Sequence, residues 1–67
     1  MNNNMNSKIK QMRRIRGLSQ SQLAKKSGVS IKTLQKYETG ERDFNKARLD
    51  IVCKLAKALE CEITDLI

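Results

Sequence analysis

Three glycines frame the first two thirds of this sequence, because Gly17, Gly28 and Gly40 lie 11 and 12 positions apart in a chain without proline. The three segments that end at these glycines carry apolar residues three or four positions apart, which is the period of an amphipathic helix. A glycine that follows such a segment can take the left-handed backbone that ends a helix. Three short helices are therefore predicted, over residues 7–16, 19–27 and 30–39.

The last third of the chain predicts a loop and two further helices. Residues 41–45 are polar apart from Phe44 and indicate a loop, at the end of which Asn45 is a favourable N-cap. The apolar pattern that follows predicts an amphipathic helix from Lys46 to Leu59, and a final turn or two at Ile63–Ile67 would close the core. No segment has the alternation of a strand. The predicted fold class is all-α, with five helices.

Length and composition limit what such a chain can do. Sixty-seven residues make one small domain, in which only about 60% of the unfolded surface becomes buried, so a deep cleft between lobes is excluded. We assign residues 7–67 to this domain and the asparagine-rich residues 1–6 to a flexible tail. The sequence has no histidine, and its carboxylates stand apart, so no nucleophile and base pair can be assembled. We expect neither an enzyme nor a cofactor or metal site.

The two cysteines, Cys53 and Cys61, are eight positions apart, which fits neither a zinc pair nor a redox C-x-x-C motif. They are also too few for the disulfide framework of a small secreted domain. The sequence has no apolar run of about 18 residues for a membrane span, and its start does not resemble a signal peptide. These features predict a reduced, cytoplasmic protein that is not attached to a membrane.

Charge is divided unevenly along the chain, which carries a net charge of +7. Residues 1–37 hold nine cations and no acid, whereas residues 38–67 hold five cations and seven acids. The imbalance suits a first half that faces a polyanion, but a basic, solvated surface would have the same composition. A basic peptide on a membrane surface is a weaker alternative, because Tyr37 and Phe44 are the only aromatic residues.

The spacing within residues 20–39 favours a helix-turn-helix unit. Ala24 is small enough for two helices to cross closely, Gly28 supplies the turn, and Leu34 and Tyr37 supply apolar contacts. An αα-hairpin in any small bundle would have a similar pattern. The outer face of the second helix favours DNA binding, because it lacks acids and offers the donors that bind bases and phosphates. The residues of that face are Ser30, Ile31, Lys32, Thr33, Gln35, Lys36 and Thr39.

Several short motifs occur together over nearly the whole chain. They are Arg13, Gly17-Leu18-Ser19-Gln20, Leu23-Ala24, Gly28-Val29-Ser30, Leu34, Tyr37-Glu38-x-Gly40, Leu55-Ala56-x-Ala58-Leu59 and Asp65-Leu66. This combination resembles the Cro/cI-type helix-turn-helix (XRE) family of phage repressors and small bacterial regulators. The resemblance implies a five-helix, lambda-repressor-like DNA-binding domain that acts as a homodimer on an inverted-repeat operator.

The resemblance also implies which side chains contact base edges. Relatives commonly carry glutamine at the position of Ile31, where it pairs with adenine. Isoleucine offers only apolar contact, so we expect a thymine methyl group at that place. Lys32 and Lys36 suit guanine O6 and N7 but suit phosphates equally well. The predicted base contacts are Ile31, Lys32, Thr33 and Lys36.

Further residues correspond to phosphate contacts and to a structural ion pair. Gln20 matches a glutamine that binds a phosphate and also braces the recognition helix, and the loop after that helix matches a second phosphate clamp. Arg13 and Glu38 match a partly buried salt bridge that holds the recognition helix against the first helix. The predicted phosphate contacts are Ser19, Gln20, Ser30, Gln35, Thr39, Arg42, Asn45 and Lys46.

The apolar end of the chain is the predicted dimer interface, formed by Ile63, Leu66 and Ile67. The alternative is that Ile67 folds back onto its own core. We predict a sequence-specific regulator of duplex DNA, and expect it to be a repressor. A protein-binding module is the other hypothesis, such as an antitoxin that binds a small protein partner and DNA only for autoregulation, because residues 38–67 are acidic and end apolar.

Overall fold

The computed structural model describes residues 7–67, and that part of the chain contains helices and no strands. Two single 3₁₀ turns, at Phe44–Lys46 and Ile63–Asp65, accompany the α-helices. The all-α prediction is confirmed, whereas the tail predicted at residues 1–6 lies outside the described residues. The helices are α1 (Lys8–Ile15), α2 (Gln20–Ser27), α3 (Ile31–Thr39) and α4 (Leu49–Leu59).

Serine hydroxyls begin the first three helices. Ser7, Ser19 and Ser30 each accept a hydrogen bond from the backbone N–H three residues further on, at 3.1 to 3.2 Å. The capping box at Ser19 is complete, because its own N–H donates to Gln22 Oε1 at 2.8 Å. α2 ends at Gly28, whose φ of 78° is the left-handed value that glycine takes without strain. These boundaries follow from local sequence, and each lies within one residue of the predicted one.

The start of α4 differs from the prediction, because the helix begins three residues after Lys46. Asn45 is not its N-cap. Asp43 acts first, since its Oδ1 accepts the N–H of Asn45 at 2.9 Å and begins the 3₁₀ turn. That turn buries Phe44 edge-on against Tyr37, with ring centroids 5.2 Å apart. Burial of an aromatic ring outweighs a capping preference of about 1 kcal/mol.

The predicted fifth helix at Ile63–Ile67 is only the 3₁₀ turn Ile63–Asp65. Asp65 Oδ2 accepts the N–H of Glu62 at 2.8 Å, so the segment is closed locally after one turn. Leu66 follows and enters the core with 3% of its surface exposed. The segment closes the core as predicted, with a single 3₁₀ turn where a turn or two was expected.

α4 ends without a glycine. Glu60 takes the left-handed conformation with φ of 55°, which costs an L-residue about 1 to 2 kcal/mol. Arg16, which follows α1, reaches this end: its Nε donates to Leu59 O at 2.7 Å and its Nη2 donates to Glu60 O at 2.9 Å. Both carbonyls lie where a helix runs out of internal donors. Arg16 therefore ties α1 to the end of α4.

The core lies where α2 packs against both α3 and α4, while α1 packs against α3. Cys61 is half-buried at its edge and Cys53 is exposed on α4. Among residues 7–67, no helix has the length and apolar character needed to cross a membrane, and no three potential metal ligands come together. The core residues are Ile9, Leu23, Val29, Leu34, Tyr37, Phe44, Val52, Leu55, Ala56, Ala58, Leu59 and Leu66.

Candidate nucleic-acid interface

A buried ion pair holds α3 against α1. Arg13 Nε donates to Glu38 Oε2 at 2.8 Å, and Arg13 Nη2 donates to Glu38 Oε1 at 3.0 Å. Arg13 Nη1 donates to Leu18 O at 2.9 Å. The carboxylate side chain is 2% exposed and the arginine side chain 11%. Because both charges are removed from water, this two-point contact fixes how α3 lies on α1.

The ion pair also decides the charge of the exposed side of α3. Hydrogen bonding to Glu38 raises the pKa of Arg13 above its ordinary value, although burial offsets part of that effect. The guanidinium therefore stays charged at every physiological pH. Glu38 is the only acid within α3, so its burial beside Arg13 leaves no carboxylate of this helix facing solvent.

Gln20, the first residue of α2, connects the ion pair to the exposed side of α3. Its Nε2 donates to Glu38 Oε1 at 3.1 Å, and its Oε1 accepts from Gln35 Nε2 at 3.4 Å. Gln20 thus braces α3, which was one of its two expected roles. The backbone N–H groups of Gln20 and Ser21 open the helix and have no acceptor within it, so they are available to an anion.

One face of α3 is exposed and carries polar side chains at i, i+3, i+4 and i+7. A groove of about 440 Å³ runs along it, with Gln20 and Glu41 at its borders. Glu41 was not foreseen at this surface, and it is held there because its N–H donates to Thr39 Oγ1 at 3.4 Å. We call this face the polar face of α3; its residues are Lys32, Gln35, Lys36 and Thr39.

The other two predicted base contacts flank the polar face. Ile31 is 36% exposed and lines a groove between α2 and the start of α3. Thr33 is half-buried, accepts a hydrogen bond from Ser30 Oγ at 2.9 Å, and lines a pocket towards the loop after α3. The four predicted base contacts are therefore divided over three surfaces of α3, and only Lys32 and Lys36 share one.

The loop after α3 gathers three cations around a pocket of about 500 Å³. Arg42 and Lys46 line it together with Arg48, which was not among the predicted contacts, and the acid Asp43 lines it as well. Arg42 N–H donates to Lys36 O at 3.1 Å, which turns the loop back towards α3. Asn45 lines a different groove, beside the end of the chain. Of the three loop residues predicted to contact phosphates, the structure therefore brings Arg42 and Lys46 together and places Asn45 elsewhere.

The predicted dimer surface is only partly exposed. The prediction that Leu66 belongs to this surface is wrong. With 3% of its surface exposed, Leu66 belongs to the core and cannot contact a partner. Ile63 is half-buried, and Ile67 is 48% exposed while its carbonyl accepts a hydrogen bond from Lys8 Nζ at 2.7 Å. Leu49, at the start of α4, is 71% exposed. It too was missed, because the predicted helix began before it.

Comparisons with known proteins agree with this architecture. The helix-turn-helix family profile matches residues 9–66. The fold is similar to the crystal structure of the restriction-modification controller protein C.AhdI from Aeromonas hydrophila, with a TM-score of 0.81 and 31% sequence identity. That similarity covers 96% of this chain and 92% of the other. No curated protein matches the sequence significantly.

The family match and the structural similarity both extend over nearly all the described residues. Proteins of this kind regulate transcription by binding DNA and are not enzymes. The helix-turn-helix is formed by α2 and α3, with Gly28 at the turn between them. This chain belongs to the Cro/cI-type (XRE) helix-turn-helix family of DNA-binding transcriptional regulators.

Proposed function

We propose that the protein represses transcription as a homodimer bound to an inverted-repeat operator, with α3 of each copy in the major groove of one half-site. The separation of charge on α3 supports this most directly. Its polar face carries Lys32 and Lys36, while its single acid, Glu38, is buried against Arg13. Apart from Glu41 at the border of its groove, this face carries no negative charge to repel DNA, and it can donate hydrogen bonds to base edges.

Phosphate contacts flank the polar face on two sides. On one side, Gln20 and the free N–H groups that open α2 meet a phosphate, and the bond from Gln20 to Glu38 holds the amide in place. On the other side, Arg42, Lys46 and Arg48 form the second clamp. Contacts on both flanks fix the register of α3 in the groove before any base is read.

The bases are read from the exposed side chains between those clamps. Lys32 and Lys36 donate to guanine O6 and N7, and Ile31 contacts a thymine methyl group. Thr33 makes the remaining contact from the side of the loop pocket. The hydroxyl bond from Ser30 leaves the Thr33 proton free to donate to a base or a neighbouring phosphate.

Dimerisation uses the exposed apolar side chains of the second half, namely Ile67 and Leu49 with the half-buried Ile63. A two-fold axis there would set the two α3 helices about 34 Å apart, one turn of DNA.

Repression follows when the dimer occupies a promoter. By similarity to the restriction-modification controller, restriction and modification genes are the first candidates for regulation. Because its proposed target is DNA, we place the protein in the cytoplasm.

Selection of binding sites from random duplex DNA, carried out at two salt concentrations, tests the proposal. We expect an enriched site with dyad symmetry. Each phosphate contact should contribute about 0.9 to the slope of log affinity against log salt, so several contacts give a steep loss at high salt. An enriched site without a dyad would contradict the homodimer, and the absence of any enriched site would contradict specific binding.

A pair of lysine variants separates groove contacts from general charge. Lys36→Ala removes a cation from the polar face, whereas Lys57→Ala removes one from the exposed side of α4. For Lys36→Ala we expect a loss of affinity for the selected site of at least about tenfold, the value of one good base contact. Lys57→Ala should change the affinity by less than about twofold. Equal losses would mean that only net charge matters.

A further inference from the structure

The groove beside Ile31 differs in chemistry from the polar face of α3. Its volume is about 580 Å³, and it lies between α2 and the first turn of α3. Four apolar residues line it beside the polar Ser21, Lys25 and Ser30, and of these four Ile31 is the large exposed one: Ala24, Gly28, Val29 and Ile31. The interface therefore has an apolar surface at the very residue where α3 begins.

The groove also lies in a cationic setting. Lys25 lines it, Lys32 follows Ile31 directly, and its lining contains no acid. The nearest polar side chain of α3, that of Ser30, is already engaged, because its Oγ donates to Thr33 Oγ1 and accepts the N–H of Thr33. The groove accordingly suits an apolar group that belongs to a polyanion.

One group of duplex DNA meets both conditions. The methyl group at C5 of thymine is the apolar feature that a base pair presents in the major groove, and cytosine presents hydrogen at the same position. Methylation of cytosine at C5 places the same methyl group at the same edge. Ile31 has no donor or acceptor with which to distinguish thymine O4 from the cytosine amino group.

We propose that Ile31 and this groove read the C5-methyl group of a pyrimidine, so that the protein responds to cytosine methylation within its operator. 5-Methylcytosine then substitutes for thymine at the position that faces Ile31, and unmethylated cytosine does not. This inference rests on the proposed function, because it requires α3 to lie in the major groove of a specific site.

The test uses the full chain and the operator obtained by site selection. Each pyrimidine of a half-site is compared with and without its C5-methyl group, as thymine against uracil and as 5-methylcytosine against cytosine. One position per half-site should lose about fourfold in affinity without the methyl group, which corresponds to burial of one such group. Changing both half-sites together should multiply the two losses.

Two isoleucine variants assign the effect to its side chain. Ile31→Ala shortens the large exposed residue of the groove and should bind the methylated and unmethylated forms equally at that position. Ile15→Ala is the control, because Ile15 is an exposed isoleucine of α1, 70% exposed, and does not line the groove. It should keep the fourfold preference. Circular dichroism checks that both variants are folded.

The results separate this inference from the proposed function. If a dyad site is selected but no pyrimidine responds to its methyl group, methyl readout is wrong while specific binding stands. If a response is found and persists in Ile31→Ala, the assignment to Ile31 is wrong. If no site is selected at all, the proposed function has failed and the inference fails with it.

Discussion

Two arginines, three positions apart near the end of α1, hold the two principal helices in different ways. Arg13 holds α3 from inside, through an ion pair with Glu38 of which little reaches solvent. Arg16 holds the end of α4 from outside, through two backbone carbonyls. Each donates two hydrogen bonds to its helix, but only those of Arg13 go to an opposite charge, and a third Arg13 nitrogen donates to Leu18 O.

The difference corresponds to what each helix does. A buried ion pair adds little net stability over apolar packing, but it tolerates few alternative geometries. That suits α3, whose orientation would decide which bases are contacted under the proposed function. The carbonyls at the end of α4 require only donors, and a solvent-exposed guanidinium supplies them. We therefore expect changes at Arg13 to affect both folding and DNA binding, and changes at Arg16 to affect folding alone.

Of the substitutions that test this comparison, Arg13→Ala should lower the unfolding free energy most. It leaves the Glu38 carboxylate buried with Gln20 as its remaining side-chain donor, and breaking a buried pair in this way costs about 3 to 5 kcal/mol of unfolding free energy. Urea denaturation measures the loss. Arg14→Ala, at an exposed neighbour, is the control and should cost less than about 0.5 kcal/mol.

Because Arg13→Ala can unfold a domain this small, the double variant Arg13→Met with Glu38→Leu completes the test. Replacing both charges by apolar groups should restore stability to within about 1 kcal/mol of the original protein. Gln20 would still lose its acceptor, so operator affinity should remain about fivefold lower, equivalent to one hydrogen bond. If affinity is fully restored along with stability, the ion pair has no role in positioning Gln20.

Arg16→Ala should have an intermediate effect. It removes two charge-assisted hydrogen bonds from the end of α4, and because the site faces solvent we expect a loss of about 1 to 2 kcal/mol in unfolding free energy. Operator affinity of the folded variant should stay within about twofold. A large loss of affinity without a loss of stability would show that Arg16 belongs to the DNA interface.

Glu60→Gly should act in the opposite direction, because glycine takes the left-handed conformation at the end of α4 without strain. We expect a gain of about 1 kcal/mol in unfolding free energy. The exposed Lys26–Glu60 contact, at 3.5 Å, contributes little and its loss should not cancel the gain. Glu60→Gln keeps the strained backbone and removes the charge, so it should leave stability nearly unchanged. A similar gain in both variants would rule out backbone strain.

The contrast between α2 and α4 explains which helix boundaries could be predicted from the sequence alone. Both ends of α2 were predicted, because a serine cap and Gly28 act within a few residues of the backbone that they fix. The end of α4 at Leu59 was predicted too, but its start was not, because that start depends on the packing of Phe44 on Tyr37. The bond from Arg16 to Glu60 O beyond the end of α4 was also missed. Contacts between residues far apart in the chain leave no local pattern.

The same reasoning applies to the candidate site. Motif resemblance paired Arg13 with Glu38, and the hydrogen bonds from Gln20 to Glu38 and Gln35 extend that pair across the helix-turn-helix. Neither Arg48 nor the separation of Ile31 from the polar face was foreseen, because each depends on where a helix starts and how α2 lies beside α3.

The smallest expected effect lies at the end of α4, where Cys61 N–H donates to Ala56 O at 3.0 Å. Desolvation by burial, followed by the negative charge of Asp65, raises the pKa of the Cys61 thiol above its ordinary value of 9.0. The folded chain therefore keeps its thiol proton at a pH where the unfolded chain has lost it. The stability gained is present below about pH 9 and is lost as the pH rises through the folded pKa.

Unfolding free energies measured from pH 8 upwards should fall less steeply in Cys61→Ala than in the original protein. Cys53→Ala, at the exposed cysteine, should follow the original protein. Identical slopes in all three proteins would mean that Cys61 ionises as freely in the folded chain as in the unfolded one.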